Sequence, residues 1–160
     1  MKALSTFSSI ILCLSLNAQS PEEQAVIDVI ENLFEGMRQG DSTMVSASFI
    51  KEANMYTVLS SQNGRTELRK GSLKKFLDAV GTPHQEIWDE PIWNTQVNVA
   101  GNLAQVWTDY AFYLGKEFSH CGVDAFQLVK KQEGWKIFQI TDTRTTLGCD
   151  IPEHIQSARK

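Results

Sequence analysis

The chain has 160 residues, 15 Lys+Arg against 19 Asp+Glu, and 42% hydrophobic content. A mildly acidic chain with no basic run longer than Lys74-Lys75 or Lys130-Lys131 excludes a nucleic-acid surface, because phosphate binding needs a concentrated basic face. Beyond the N-terminus no segment is long or apolar enough to enter a membrane, which removes the bilayer as a partner of the mature form.

Residues 1–18 read as a secretory signal. Lys2 supplies the positive start, Ile10 to Leu16 the apolar run, and Leu16-Asn17-Ala18 a cleavage site before Gln19. The alternative is a buried N-terminal helix or strand. Cleavage would remove only Lys2 among the charged residues, taking the net charge from −4 to −5. The expected products are an exported chain, periplasmic or secreted, with a domain over 19–150 and a polar tail over 151–160 that is frayed helix or disorder. Of the three cysteines, Cys121 and Cys149 remain after cleavage. In an oxidising compartment they are a disulfide candidate, worth roughly 3–4 kcal/mol on the chain-entropy account; two free thiols are the alternative.

Ser20-Pro21-Glu22-Glu23 combines an N-cap serine, an early proline and a glutamate three residues after the cap. Val26, Ile30, Leu33, Phe34 and Met37 then recur at helical spacing, and Gly40 stops the helix. Asp41 caps a second short helix through Met44, Val45 and Phe49. Met55–Leu59 reads as a strand, Asn63-Gly64 as a hairpin turn, and 66–68 as its return. Ser72 caps a helix carrying Leu73, Phe76, Leu77 and Val80, ended by Gly81 and Pro83.

From Ile87 to Arg144 the pattern is four consecutive strands joined by short turns. Apolar residues should oppose apolar ones across antiparallel pairs. The Gly101-Asn102 turn sets Val97 against Val106, Thr95 against Thr108 and Trp93 against Tyr110. The middle turn sets Val106 against Phe126, Thr108 against Asp124 and Phe112 against His120. The turn ending in Gly134 sets Leu128 against Phe138, Phe126 against Ile140 and Asp124 against Asp142. One face therefore runs from an aliphatic end, lidded by the amphipathic helices, to an end bearing Trp93, Tyr110, His120, Asp124, Asp142 and Arg144. The other face, with Gln105, Trp107, Asp109 and Gln127, is mixed and suits partial exposure or a partner.

The element order, together with Trp107-Thr108-Asp109-Tyr110, the segment from His120 to Leu128, Gly134-Trp135-Lys136-Ile137 and Thr141-Asp142-Thr143-Arg144, resembles the nuclear transport factor 2-like fold. Within it, these segments are similar to the SnoaL-like and "putative lumazine-binding" branch over nearly all of 21–149. The resemblance implies an α+β cone, a bent antiparallel sheet wrapped around N-terminal helices. The fold hosts isomerases, cyclases, dehydratases and non-catalytic binding modules, so it does not select a function. It also implies a homodimer through the outer sheet face, where Trp107 stands.

Asp124 opposite Asp142 is the sharpest chemical feature. Two facing carboxylates on an apolar surface repel, and burial raises at least one pKa, as a proton donor–acceptor pair requires. Arg144 could neutralise them or bind an anion; a purely structural network is the competing reading. His120 suits a general base or an exposed turn residue. Trp88, Trp93, Thr108, Tyr110, Phe112, Phe126 and Arg144 are the candidate ligand-binding residues, although Trp93 and Tyr110 also suit plain core. Trp135 is expected to pack at the sheet edge. There is no glycine-rich phosphate loop, nucleophile elbow or metal-ligand set, so no cofactor or metal is implied. The leading expectation is a binding protein for a small apolar or aromatic molecule. An enzyme using Asp124, Asp142 or His120 for proton transfer, and a dimeric interaction module, are the alternatives.

Overall fold

The computed structural model describes residues 20–60 and 64–159. The expected signal segment and Asn63 lie outside them. Helix α1 (Pro21–Gln39) begins in a capping box: Ser20 accepts from the Glu23 amide and Glu23 accepts from the Ser20 amide. It ends at Gly40, whose φ of 66° is the left-handed stop that glycine tolerates best. Asp41 caps α2 (Ser42–Ala47) through the amides of Thr43 and Met44. This second helix stops short of Phe49, which instead opens strand β1 (Phe49–Ser60). The partner β2 (Thr66–Lys70) is followed by α3 (Leu73–Gly81), capped by Ser72 as its sequence predicts. Strands β3 (Trp88–Asp89), β4 (Ile92–Ala100), β5 (Leu103–Leu114), β6 (Glu117–Lys131) and β7 (Gly134–Arg144) complete the sheet, and α4 (Glu153–Ser157) lies in the tail.

The strand order is β2-β1-β7-β6-β5-β3, with β4 also on β5. The sheet is mixed rather than wholly antiparallel, because β1 runs parallel to β7. Parallel neighbours need a long connection, and here nearly the whole chain supplies it. The concave face buries Ala104, Val106, Phe126, Leu128 and Ile137 against Val26, Ile30, Leu33, Phe34 and Met37 of α1. Phe34 meets Phe126 edge-on with ring centroids 6.2 Å apart. Glu22 ties the start of α1 to the sheet, accepting from Lys130 at 2.6 Å and from the Trp135 indole at 3.1 Å. Trp135 is therefore buried core, not edge packing.

The β5–β6 register is the predicted one throughout the concave face. The flanking pairs each contain an irregularity that the alternation rule does not anticipate. Between β6 and β7, Asp124 faces Asp142 and Phe126 faces Ile140, but a bulge then sets Leu128 against Ile137 instead of Phe138. Between β4 and β5 the pairing shifts between Trp93 and Gln96, so Trp93 faces Asp109 and Ile92 faces Tyr110. Asn94 sits at the shift with φ 53°, a conformation asparagine tolerates, and its amide donates to Asp109 at 2.8 Å. One extra residue turns Trp93 to the convex face.

On that face Trp93 joins Ala111, Tyr113, Cys121, Cys149, Ile151 and Ile155 in a second apolar cluster. The tail is held there. Cys121 and Cys149 are bridged, with Cα atoms 6.1 Å apart. Arg159 pairs with Asp89 and lies over the Tyr113 ring at 4.1 Å. The polar composition of the tail hides two isoleucines, Ile151, packed on the cluster, and Ile155, which is buried.

Candidate functional site

A cavity of about 210 Å3 opens between α1, β1, α3 and the far end of the concave face. Its apolar wall includes Leu33, Phe34, Met37, Phe76 and Ile140, and its polar end Glu90, Tyr110, His120, Asp124, Asp142 and Arg144. For scale, an apolar cavity of about 150 Å3 takes up benzene.

The register puts these groups together. Asp124 and Asp142 are directly opposed on β6 and β7, and Tyr110 lies one inward position along β5. The two aspartates are nonetheless served very differently. Asp142 is well supplied: Thr57 donates to Oδ1 at 2.6 Å, and Arg144 Nε to Oδ2 at 2.5 Å. The Tyr110 hydroxyl lies 3.4 Å from Asp142 Oδ2 and donates to the Thr143 carbonyl at 2.9 Å. That carbonyl packs close against Gly122, where a Cβ would stand 1.9 Å from it. Asp124 is only 2% exposed, and among the described residues no backbone or other basic or hydroxyl group donates to its Oδ2.

Asp124's neighbour is Glu90, which sequence reasoning missed. Burial pushes the Glu90 carboxyl up to about 7, against the pull of its hydrogen bond with Asp124, and Asp142 raises it further. Burial and the adjacent Glu90 and Asp142 charges drive Asp124 well above the carboxylate range. Two adjacent carboxyls, Asp124 buried and Glu90 part-buried, cannot both ionise without large repulsion, so the pair holds a proton. Burial, reinforced by the Asp142, Asp124 and Glu90 charges, holds the Tyr110 phenol above its ordinary value, so it remains a donor. Burial and then the Arg144 charge push His120 below its ordinary value, leaving a neutral ring near pH 7. A period-two signal for Glu90 was present: Trp88, Glu90 and Ile92 alternate, and Pro91 holds the preceding residue extended.

The other candidates frame the cavity without lining it. Phe126 lies in the core under Phe34. Thr108 is fully buried and hydrogen-bonded to Thr95 at 2.7 Å and to the Trp93 carbonyl at 3.0 Å. Trp88 stacks on His84 and meets Phe112 edge-on, and Phe112 backs His120 at 5.3 Å. Trp93 faces away from the cavity, for the reason given above. Among the described residues no group of three or more His, Cys, Asp or Glu has the arrangement to hold a metal ion.

Solved structures share this architecture at low identity. A protein of the nuclear transport factor 2-like class from Shewanella baltica is 17% identical with a TM-score of 0.59, over 76% of this chain and 92% of its own. One from Novosphingobium aromaticivorans is 12% identical with a TM-score of 0.62, over 86% and 88%. A "putative dehydratase" of the same class from Streptomyces avermitilis is 14% identical with a TM-score of 0.58, over 77% and 95%. These likenesses establish the fold and nothing finer. No curated protein matches the chain. The model of the family described as "putative lumazine-binding" matches residues 21–141, and the chain, a nuclear transport factor 2-like α+β cone, belongs to that family.

Proposed function

We propose that the protein binds a small molecule in this cavity, with its apolar body against α1 and α3 and its polar head toward Asp124, Glu90 and Tyr110. One observation carries the reading. Protein interiors are close-packed, yet here an apolar-walled space stays unfilled where the buried polar groups converge. Native mass spectrometry of the protein purified from its own host tests it. A retained small mass that is lost in a cavity-filling Met37→Trp variant supports the reading; no retained mass and no thermal stabilisation by any ring-sized fragment overturn it.

A second reading is proton transfer on a carbonyl-bearing ligand. It is favoured by the raised Glu90 and Asp124 carboxyls, which sit where an acid and base working near neutral pH need to be. Deuterium uptake beside the carbonyl of a cyclic ketone, faster with the wild type than with Glu90→Gln, supports it; equal rates reject it.

Two further expectations accompany the reading. Export after cleavage at residue 18 is supported by the Cys121–Cys149 bridge, since disulfides persist in oxidising compartments; the N-terminal residue of the mature protein decides it. Association of two copies through the convex face is supported by Trp107 and Leu103, each 53% exposed on the same face of β5. Sedimentation of Trp107→Ala against the wild type decides that.

A further inference from the structure

We propose that the cavity selects a cation: a protonated amine or amidine on a ring-sized apolar body, held by the Asp124 and Glu90 carboxyls. The inference rests on the cavity being a ligand site and adds the ligand's charge.

The charges facing the cavity do not balance. Three carboxyls, Glu90, Asp124 and Asp142, meet one guanidinium, Arg144, and that group is already bonded to Asp142. Asp142 is further satisfied by Thr57 and neighboured by Tyr110. Among the described residues, the remaining ionisable neighbours add no positive charge to the Glu90–Asp124 pair: His120 is held neutral, and Asp89 is engaged by Arg159 and, at 3.9 Å, by Arg38. Apart from the proton shared with Glu90, Asp124 Oδ2 is a buried acceptor in the cavity wall with no donor among the described residues. Leaving such an atom unmade is costly, and a charged N–H donor is the strongest remedy.

An ammonium or amidinium brings several such donors and replaces the proton the pair shares, so binding transfers that proton to solvent. An anion would meet three carboxyls and one guanidinium whose Nε is already bonded to Asp142. A neutral hydroxyl could supply one donor but no compensating charge. The opposite wall of Leu33, Phe34, Met37 and Phe76 suits the apolar body.

Calorimetric titration of the full chain at pH 7.5 with benzylamine, benzyl alcohol and benzoate tests this. Benzylammonium is expected to bind at least about tenfold more tightly than the alcohol, with no binding of benzoate. Its heat should vary with buffer ionisation enthalpy, reporting released protons, and more of them at pH 6 than at pH 7.5. Asp124→Asn should abolish the cation's advantage over the alcohol. Equal affinity for cation and alcohol, or tighter binding of benzoate, overturns the charge assignment and leaves the cavity reading standing. Undiminished cation binding by Met37→Trp would place the cation outside the cavity and overturn the proposal. So would binding of none of the three probes, whereas the cavity reading itself is judged by the retained mass.

Discussion

At one end of the concave face, Val106, Phe126, Leu128 and Ile137 close against Val26, Ile30 and Leu33. At the other, the same three strands present Tyr110, Asp124 and Asp142 to open space. Backbone pairing is common to both ends; side-chain chemistry separates them. Hydrocarbon closes against hydrocarbon because burial is favourable in any arrangement without voids. Carboxyls are bound by direction and charge. Asp142 found its donors in Thr57 and Arg144, whereas Asp124 found another acid.

The comparison breaks most sharply under Phe126→Ala. The ring is 1% exposed in the closed end, and its loss should cost about 3–5 kcal/mol. Chemical denaturation would show this, with the cavity's proton affinity unchanged. Next comes the clamp on the convex face. Cys149→Ser releases a bridge spanning 28 positions, and should cost about 3 kcal/mol and deprotect the amides of α4 to hydrogen exchange.

The polar end should reveal itself through pH. The Glu90 carboxyl titrates near 7 in the folded chain, against 4.5 ordinarily, so the folded state holds the proton more tightly. Its contribution is intact below about pH 4.5 and is lost as pH climbs through 7, a decline on the order of 2 kcal/mol. Melting at a series of pH values should show this slope, and Glu90→Gln should flatten it; a wild-type profile that rises over the same range would contradict the shared proton. The smallest effect is expected for Thr57→Val, which removes one donor from Asp142 and should cost about 1 kcal/mol.

Much of this architecture was legible in the chain. Capping at Ser20, Asp41 and Ser72 and the stop at Gly40 are local chemistry and appear where they were expected. The β5–β6 register followed from apolar residues opposing apolar ones, and it put Asp124 across from Asp142 once the last hairpin was added. Trp93 was misplaced because a bulge changes the phase of alternation; Asn94 in mid-strand was its only sign. Glu90 escaped notice because it lies just past the two-residue strand β3, too short to announce itself, though its phase matched Trp88 and Ile92.

Local order and the pairing of neighbours in the chain belong to the sequence by itself, because caps, turns and period-two alternation act over a few residues. The tertiary structure alone decided which carboxyl would be Asp124's companion, that β1 would lie parallel to β7, and that the tail would dock through Ile155 and Arg159. Those outcomes depend on contacts between segments far apart in the chain, and charge and packing select among them only once the whole sheet has curved around α1.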